Sequence, residues 1–259
     1  MNHFPEIRPG LFLDDDIKNI RDMIDGCNMI ESIHVNESDH LYEIQKEQYL
    51  THMINKGNKY AIAVNRFINN DKEEPKPIFG INDIEIDKIN NWITASEVLP
   101  EPEKSNRFVV FDWDNTLSLS AGFFGITDDV VKQISNNELS VEPSDIISYL
   151  FGDDNRLTSI KGVIRNLFDN SIKVYILTRN PEATKNRQLF VDMLKVLDER
   201  FDNDSLIYSG SLYKSLDMAR LNKCRRENLG GKRKTKRNAK NKLSKNRKIK
   251  NKRRSCKRK

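Results

Sequence analysis

The sequence predicts an α/β fold: a parallel sheet carried by the middle of the chain, an α+β module before it, and a disordered basic tail after it. Three observations predict this. Phe108-Val-Val-Phe111 is a short, continuous apolar run, and Lys173-Val-Tyr-Ile-Leu-Thr178 carries another between its polar ends, the pattern of strands buried on both faces. Between them Ile160, Val163, Ile164, Leu167 and Phe168 recur at helical spacing, which predicts a core-facing helix over 159–170. Strand, helix, strand is a crossover unit, and it lays its two strands side by side and parallel. From Lys223 onward apolar periodicity ends and lysine and arginine dominate.

Residues 1–95 read as an N-terminal module without a functional signature. Asp14 to Asp16 stand where they cap a helix that carries Ile17, Ile20, Met23, Ile24 and Cys27 and ends near Gly26. Leu41 to Lys56 predicts a second helix, stopped by Gly57, and Tyr60 to Phe67 predicts a strand. Residues 69–76 read as a polar loop ended by Pro77, and Ile86, Ile89, Trp92 and Ile93 as a short helix. Residues 96–106, with Pro100 and Pro102 among mixed charges, read as a linker that separates this module from an α/β domain over 107–222. His3, His34, His40 and His52 are scattered, which suits surface or structural roles.

Within the α/β domain, Leu117 to Ile126 contains Gly122 and Gly125 and predicts a hairpin or tight loop. Thr127, Asp128 and Asp129 start a helix bearing Val130, Val131 and Ile134, and Ser144 starts another that stops at Gly152. Together these make a small cap insertion, which leaves a site open to large or polymeric substrates. Thr184 to Phe201 predicts a long amphipathic helix, Leu206 to Ser209 a third strand, and Lys214 opens a final helix. Arg179 reads as a solvated charge.

The chain has 259 residues, 37% of them apolar, enough for one ordinary domain and additional pieces. Cys27, Cys224 and Cys256 are far apart and odd in number. That argues against a disulfide framework or zinc cluster and for a reducing compartment. There is no apolar run of membrane-spanning length and no signal-peptide core at the N-terminus, so an intracellular protein with no membrane partner is expected. The net charge of +6 conceals an asymmetry. Of 44 basic residues, 20 lie in 223–259 beside the single acid Glu227, which leaves 24 basic against 37 acidic residues before it.

Asp112 and Asp114 follow the first apolar run at i and i+2, where open α/β sheets bind ligands. On a strand their side chains would point the same way. Two adjacent carboxylates repel unless a cation or a shared proton offsets them, so the pair suggests a metal-assisted site. An acidic strand terminus with a Thr cap is the plain alternative.

The stretch Arg107-Phe-Val-Val-Phe-Asp-Trp-Asp-Asn-Thr116 resembles the first motif of the haloacid dehalogenase superfamily, a hydrophobic strand followed by Asp-x-Asp-x-Thr. The resemblance covers about 107–221. It implies a Rossmann-like sheet in which Asp112 attacks phosphorus to form an aspartyl phosphate while Asp114 acts as acid and then base. It further implies that Thr178 hydrogen-bonds a phosphoryl oxygen, that Lys214 neutralises Asp112 and the phosphate, and that Mg2+ is held by Asp112 and Asp114. The loop after the first motif would be a flap over the site. An Asp at the second position resembles the phosphatase and phosphotransferase branch.

The superfamily's fourth motif, an acidic pair on another strand, has no counterpart after Leu221. The substitutes are Asp153 and Asp154 before the second motif, or Asp83 and Asp87 in the N-terminal module, which would require a circularly permuted arrangement. The bland readings are a helix-ending turn for the first pair and a surface strand or helix start for the second. Residues 223–259 are expected to bind RNA or DNA without sequence preference through counterion release. Nuclear import and folding back onto the acidic body are competing uses. Asp112-Trp-Asp-Asn-Thr116, the small cap and Gly230-Gly-Lys-Arg-Lys-Thr235 together resemble proteins of large DNA viruses, and imply a nucleus or viral replication site. The expected function is a magnesium-dependent phosphomonoester hydrolase or phosphotransferase, its phosphorylated substrate reached from a tail tethered to nucleic acid. The alternative is a catalytically weak or inactive binding protein of the same fold.

Overall fold

Two apolar runs that end in carboxylates, Gly10-Leu-Phe-Leu-Asp14 and Phe108-Val-Val-Phe111-Asp112, become neighbouring parallel strands, with Leu13 paired to Phe111. The computed structural model describes residues 7–35, 42–44, 46–65, 76–78, 80–119, 140–152, 154–211 and 213–220. Its main sheet has five strands, all parallel: β1 (Gly10–Asp14), β2 (Ile30–His34), β5 (Phe108–Phe111), β6 (Lys173–Thr178) and β7 (Leu206–Tyr208). Their order is β2-β1-β5-β6-β7. The short strands β3 (Tyr42–Ile44) and β4 (Lys76–Ile78) pair antiparallel in a separate ribbon.

This order corrects the expected domain division. The stretch read as an independent module supplies two of the five strands, and residues up to Cys224 form one compact unit. The physical reason is that Leu11, Phe12 and Leu13 are buried, and a strand apolar on both faces cannot stand outside a sheet covered on both sides. Nor do residues 96–106 separate two bodies. The buried Arg107 donates to Ser96 Oγ at 3.1 Å, to the Lys104 carbonyl at 3.2 Å and to the Asn170 carbonyl at 2.8 Å, so it locks that segment to the entrance of β5.

Alternation along the strands divides the core in two. Phe12, Val110 and Leu177 face a smaller layer with Ile20, Met23 and Cys27 of the first helical segment and Met218 near the end of the described chain. Leu11, Leu13, Val109, Phe111, Val174 and Ile176 face the larger layer. The smaller layer is covered by α1 (Ile17–Gly26) and α9 (Lys214–Arg220). Against the larger layer pack α4 (Asp83–Ser96), α5 (Pro143–Phe151), α6 (Asp154–Asp169) and α8 (Arg187–Leu197). Gly10 lies where β1, β2 and β5 converge: a Cβ there would stand 2.4 Å from the Phe108 ring and 2.9 Å from Ile30, so only glycine fits.

Several local expectations hold. Asp16 caps α1 by accepting from the Lys18 amide, and Asn82 and Glu85 form a reciprocal box that starts α4. The helix over 159–170 is present as the longer α6, β6 has the expected bounds, and Lys214 opens α9. Others fail. Tyr60 to Phe67 was expected to be a strand, yet α3 (Lys59–Asn65) occupies its described part, because Asn58 Oδ1 accepts the Ala61 amide and caps a helix whose Tyr60, Ala61, Ala63 and Val64 are buried. The helix expected from Leu41 forms only as α2 (Lys46–Asn55), after β3. The long helix expected from Thr184 is broken at Asn186 into α7 (Glu182–Lys185) and α8. Cys27 is disulfide-bonded, against the expectation of free thiols, and the other two cysteines lie outside the described residues. The flap and helix expected over 120–134, Asp153 and the basic tail also lie outside them. Among the described residues no helix is long and apolar enough to cross a membrane.

Candidate functional site

β1 connects outward to β2 on one side of the sheet, whereas β5, β6 and β7 run in succession to the other side. The connections leaving β1 and β5 therefore diverge, which makes the carboxyl ends of these two strands the switch point of the sheet, where open α/β folds form a ligand-binding crevice. Continuing the pairing of Leu13 with Phe111 by one residue sets Asp14 opposite Asp112, and the Asp112 amide donates to the Leu13 carbonyl at 2.9 Å. Both side chains share the parity of Phe12 and Val110, the face that α9 covers. Lys214, at the first position of α9, is 1% exposed and reaches both, with Nζ 2.7 Å from Asp14 Oδ2 and 2.7 Å from Asp112 Oδ1.

Asp14 and the remaining acids of the crevice also accept from neutral donors. Asn19 Nδ2 donates to both oxygens of Asp14 at 3.0 and 3.1 Å, and the Asp16 amide donates to Asp14 Oδ1 at 2.8 Å. Asn115 Nδ2 donates to Asp15 Oδ2 at 3.2 Å, and His34 Nε2, at the end of β2, donates to the Asp15 carbonyl at 2.8 Å. Asn180 Nδ2 donates weakly to Asp114, 3.4 and 3.5 Å from its two oxygens. Thr178, fully buried at the end of β6, accepts the Asn180 amide on Oγ1 at 2.9 Å.

The turn from Trp113 to Leu117 is set by local conformation and by one side chain of α6. Asn115 takes a left-handed conformation, φ 60° and ψ 3°, which reverses the chain. The Arg156 guanidinium then clamps the turn, donating to the Leu117 carbonyl at 2.9 Å, to Ile81 at 3.0 Å and to Phe151 at 3.2 Å. Trp113 is buried between Phe151 and Phe190, with ring centroids 6.0 and 4.8 Å away. The residue between the two acids is thus an anchor.

Burial dominates the acid–base behaviour. It pushes the Asp112 carboxyl up to about 7 even though the Lys214 ammonium opposes the rise, and the nearby Asp14 adds to it. It pushes Asp114 up to about 6, with the Asn180 amide and then Lys214 opposing. Asp15 is raised by burial and then by Asp14, while the Asn115 amide lowers it. The folded chain therefore holds more protons at Asp112 and Asp114 than the unfolded chain does between pH 4 and 7. Stability supplied by these neutral carboxyls is lost as pH rises through that window. Metal-free protein is expected to melt lower at pH 8 than at pH 5, and the difference should shrink in Asp112→Asn. Thermal denaturation in a chelating buffer measures it; an unchanged difference in the variant would count against Asp112 as its source.

One carboxylate oxygen from each of Asp14, Asp15 and Asp112 lies within 4.8 Å of the others. The donors are hard oxygens, and three carboxylates outnumber the one ammonium, so the residues could hold a hard metal cation. The crevice brings together Asp112 and Lys214 as expected and sets Asp114 and Thr178 at its β5–β6 side, joined through Asn180. The expected metal ligands divide: Asp112 belongs to this oxygen cluster and Asp114 does not. Asp114 is outside the oxygen cluster, because β5 ends at Phe111 and the turn removes the strand parity that would have aligned it with Asp112. Asp83 and Asp87 are exposed on α4, and Asp154 is exposed and 3.5 Å from Lys56. None of them is in the cluster. The carboxylates that sequence reading missed are Asp14 and Asp15, taken only as helix-capping acids. The available signal was the pattern Gly10-Leu-Phe-Leu-Asp-Asp, an apolar run ending in acids like that of β5.

Comparison with protein-family models, with curated proteins and with solved structures finds no match to this chain.

Proposed function

We propose that the chain is a magnesium-dependent phosphomonoester hydrolase or phosphotransferase of the haloacid dehalogenase type, working through an aspartyl phosphate on Asp112. The observation that carries the reading is the double contact of Lys214 Nζ with Asp14 and Asp112, 2.7 Å each, with an Asp15 oxygen within 4.8 Å of an oxygen of each of these two acids. An acidic pair on another strand, completing the magnesium site, is what the resembled superfamily places after its third motif. Here the acids come from β1, so the reading includes a circular permutation, one that enters through Asp14 and Asp15 rather than Asp83 and Asp87.

Asp14, Asp15 and Asp112 would hold the magnesium ion. Bound there, it would offset negative charge on the phosphoryl oxygens and let a carboxylate approach phosphorus. The Asp112 carboxylate attacks phosphorus, and the bond to the leaving oxygen breaks as Asp114 delivers its proton to that oxygen. An Asp114 carboxyl raised to about 6 can hold that proton at mildly acidic pH and release it near neutrality. Asp114 then takes a proton from water, whose oxygen bonds to phosphorus while the acyl-phosphate bond between the Asp112 carboxylate oxygen and phosphorus breaks, so that the carboxylate is regenerated and phosphate leaves. An acceptor hydroxyl in place of water makes the same step a phosphotransfer. Lys214 keeps Asp112 oriented and balances charge at both stages, and Thr178 would donate to a phosphoryl oxygen.

Magnesium-dependent release of phosphate from a generic aryl phosphate by the purified chain tests the reading. Chelation should abolish it, and Asp15→Asn should lower it by about 10- to 100-fold; turnover indifferent to both would exclude a metal site at this crevice.

The charge of 223–259 alone supports the second element of the proposal, attachment to nucleic acid through phosphate contacts. Binding to a random duplex should weaken steeply between 50 and 200 mM salt and disappear when residues after Asn222 are deleted. Equal binding by the shortened chain would remove the tail from the account.

A further inference from the structure

The left-handed residue of the turn is an asparagine, and its side chain is engaged. Asn115 adopts φ 60°, a region that glycine enters freely and asparagine tolerates better than most residues. Glycine would satisfy the backbone equally well. Asparagine adds an amide, and that amide reaches Asp15 across 100 residues of sequence, Nδ2 to Oδ2 at 3.2 Å. The same device appears at Asp14, which receives Asn19. An arginine or lysine could hold Asp15 as firmly, but its charge would cancel the field that attracts a cation. An amide orients a carboxylate and leaves its charge in place.

We propose that Asn115 is a positioning residue for cation binding: it ties the turn after Asp112 to Asp15, so that oxygens from two strands separated by nearly a hundred residues stand ready for one ion. The inference rests on the magnesium reading above. Carboxylates fixed before binding lose less freedom when the ion arrives, and partners that orient ligands commonly set metal affinity by an order of magnitude or more.

Two variants of the full chain separate the amide from the backbone. Asn115→Gly removes the amide and keeps the left-handed turn easy; Asn115→Ala removes the amide and leaves a Cβ in an unfavourable region. Calorimetric titration with Mg2+ should give a dissociation constant about tenfold weaker in both variants. In metal-free buffer the melting temperature should hold in the glycine variant and fall by about 4 °C or more in the alanine variant. Parental affinity in the glycine variant would overturn the proposal. So would a loss confined to one of the two, since that would trace affinity to loop stiffness or strain. If the parent chain itself takes up no Mg2+ while remaining folded, the metal reading falls and takes this role with it; parental uptake with unchanged variants leaves that reading standing and removes Asn115 alone.

Discussion

Replacing Asp112 by Asn is expected to reduce magnesium-dependent phosphate release by at least about a thousandfold, with the melting temperature held or raised near neutral pH. The first expectation follows from chemistry: an amide oxygen is a poor nucleophile toward phosphorus, and no other carboxylate of the crevice sits at the end of β5. The second follows from burial. Asp112 is 8% exposed and its carboxyl is pushed up to about 7, so ionising it in the folded chain costs free energy that a neutral amide does not incur. Lys214 keeps Asp14 as its ionic partner in the variant. Measuring turnover and melting on the same preparation separates loss of chemistry from loss of fold. Activity within tenfold of the parent, in protein free of contaminating phosphatase, would show that Asp112 is not the nucleophile. An inactive parent would instead favour the binding-protein alternative.

Lys214→Met is expected to destabilise the metal-free chain by about 3–5 kcal/mol at pH 8, the range seen when one partner of a buried ionic cluster is removed. Methionine preserves the unbranched shape and deletes the ammonium. Asp14, fully buried, and Asp112 then face each other at adjacent strand ends with only neutral donors between them. That loss approaches the whole stability of a small domain, so much of the protein should be unfolded. Two conditions should restore it: pH near 5, where a protonated carboxyl removes the repulsion, and added Mg2+, which supplies the missing positive charge. Urea denaturation at both pH values, with and without Mg2+, measures the three effects together. A variant within about 1 kcal/mol of the parent at pH 8 would mean that the crevice holds its acids without a cation. Failure of Mg2+ to restore stability, with rescue by acid intact, would count against Asp14, Asp15 and Asp112 as the ion's ligands.

Much of the candidate site was legible in the chain. Phe108 to Phe111 and Val174 to Leu177 have no charged residue with which to face water, and that forces a strand covered on both sides. Asp112 and Thr178 follow such runs directly, so their place at strand ends was legible from composition alone. Lys214 was a lone cation at a helix start, and nothing local distinguished it from a surface lysine. Its burial depends on α9 lying across the smaller core layer, where Met218 joins the cluster of Phe12 and Leu177.

The misreadings share one cause. Tyr60 to Phe67 is apolar enough for either a strand or a helix, and the outcome turned on the Asn58 cap and the neighbours available to Tyr60. Gly10 to Asp14 runs into Asp15 and Asp16, acids that also make good helix-capping residues, and Asp16 does cap α1. By itself the sequence determined an α/β class, a strand ending in Asp-x-Asp, a helix and second strand ending in Thr178, and a segregated basic tail. Those properties are local, written in hydrophobic period and charge. Only the tertiary structure decided that β1 lies beside β5, that Asp14 and Asp15 stand where Asp83, Asp87 and Asp154 do not, and that Lys214 joins Asp14 across 200 residues. Strand order is chosen by which apolar faces can be buried together over the whole sheet, and no local pattern records that choice.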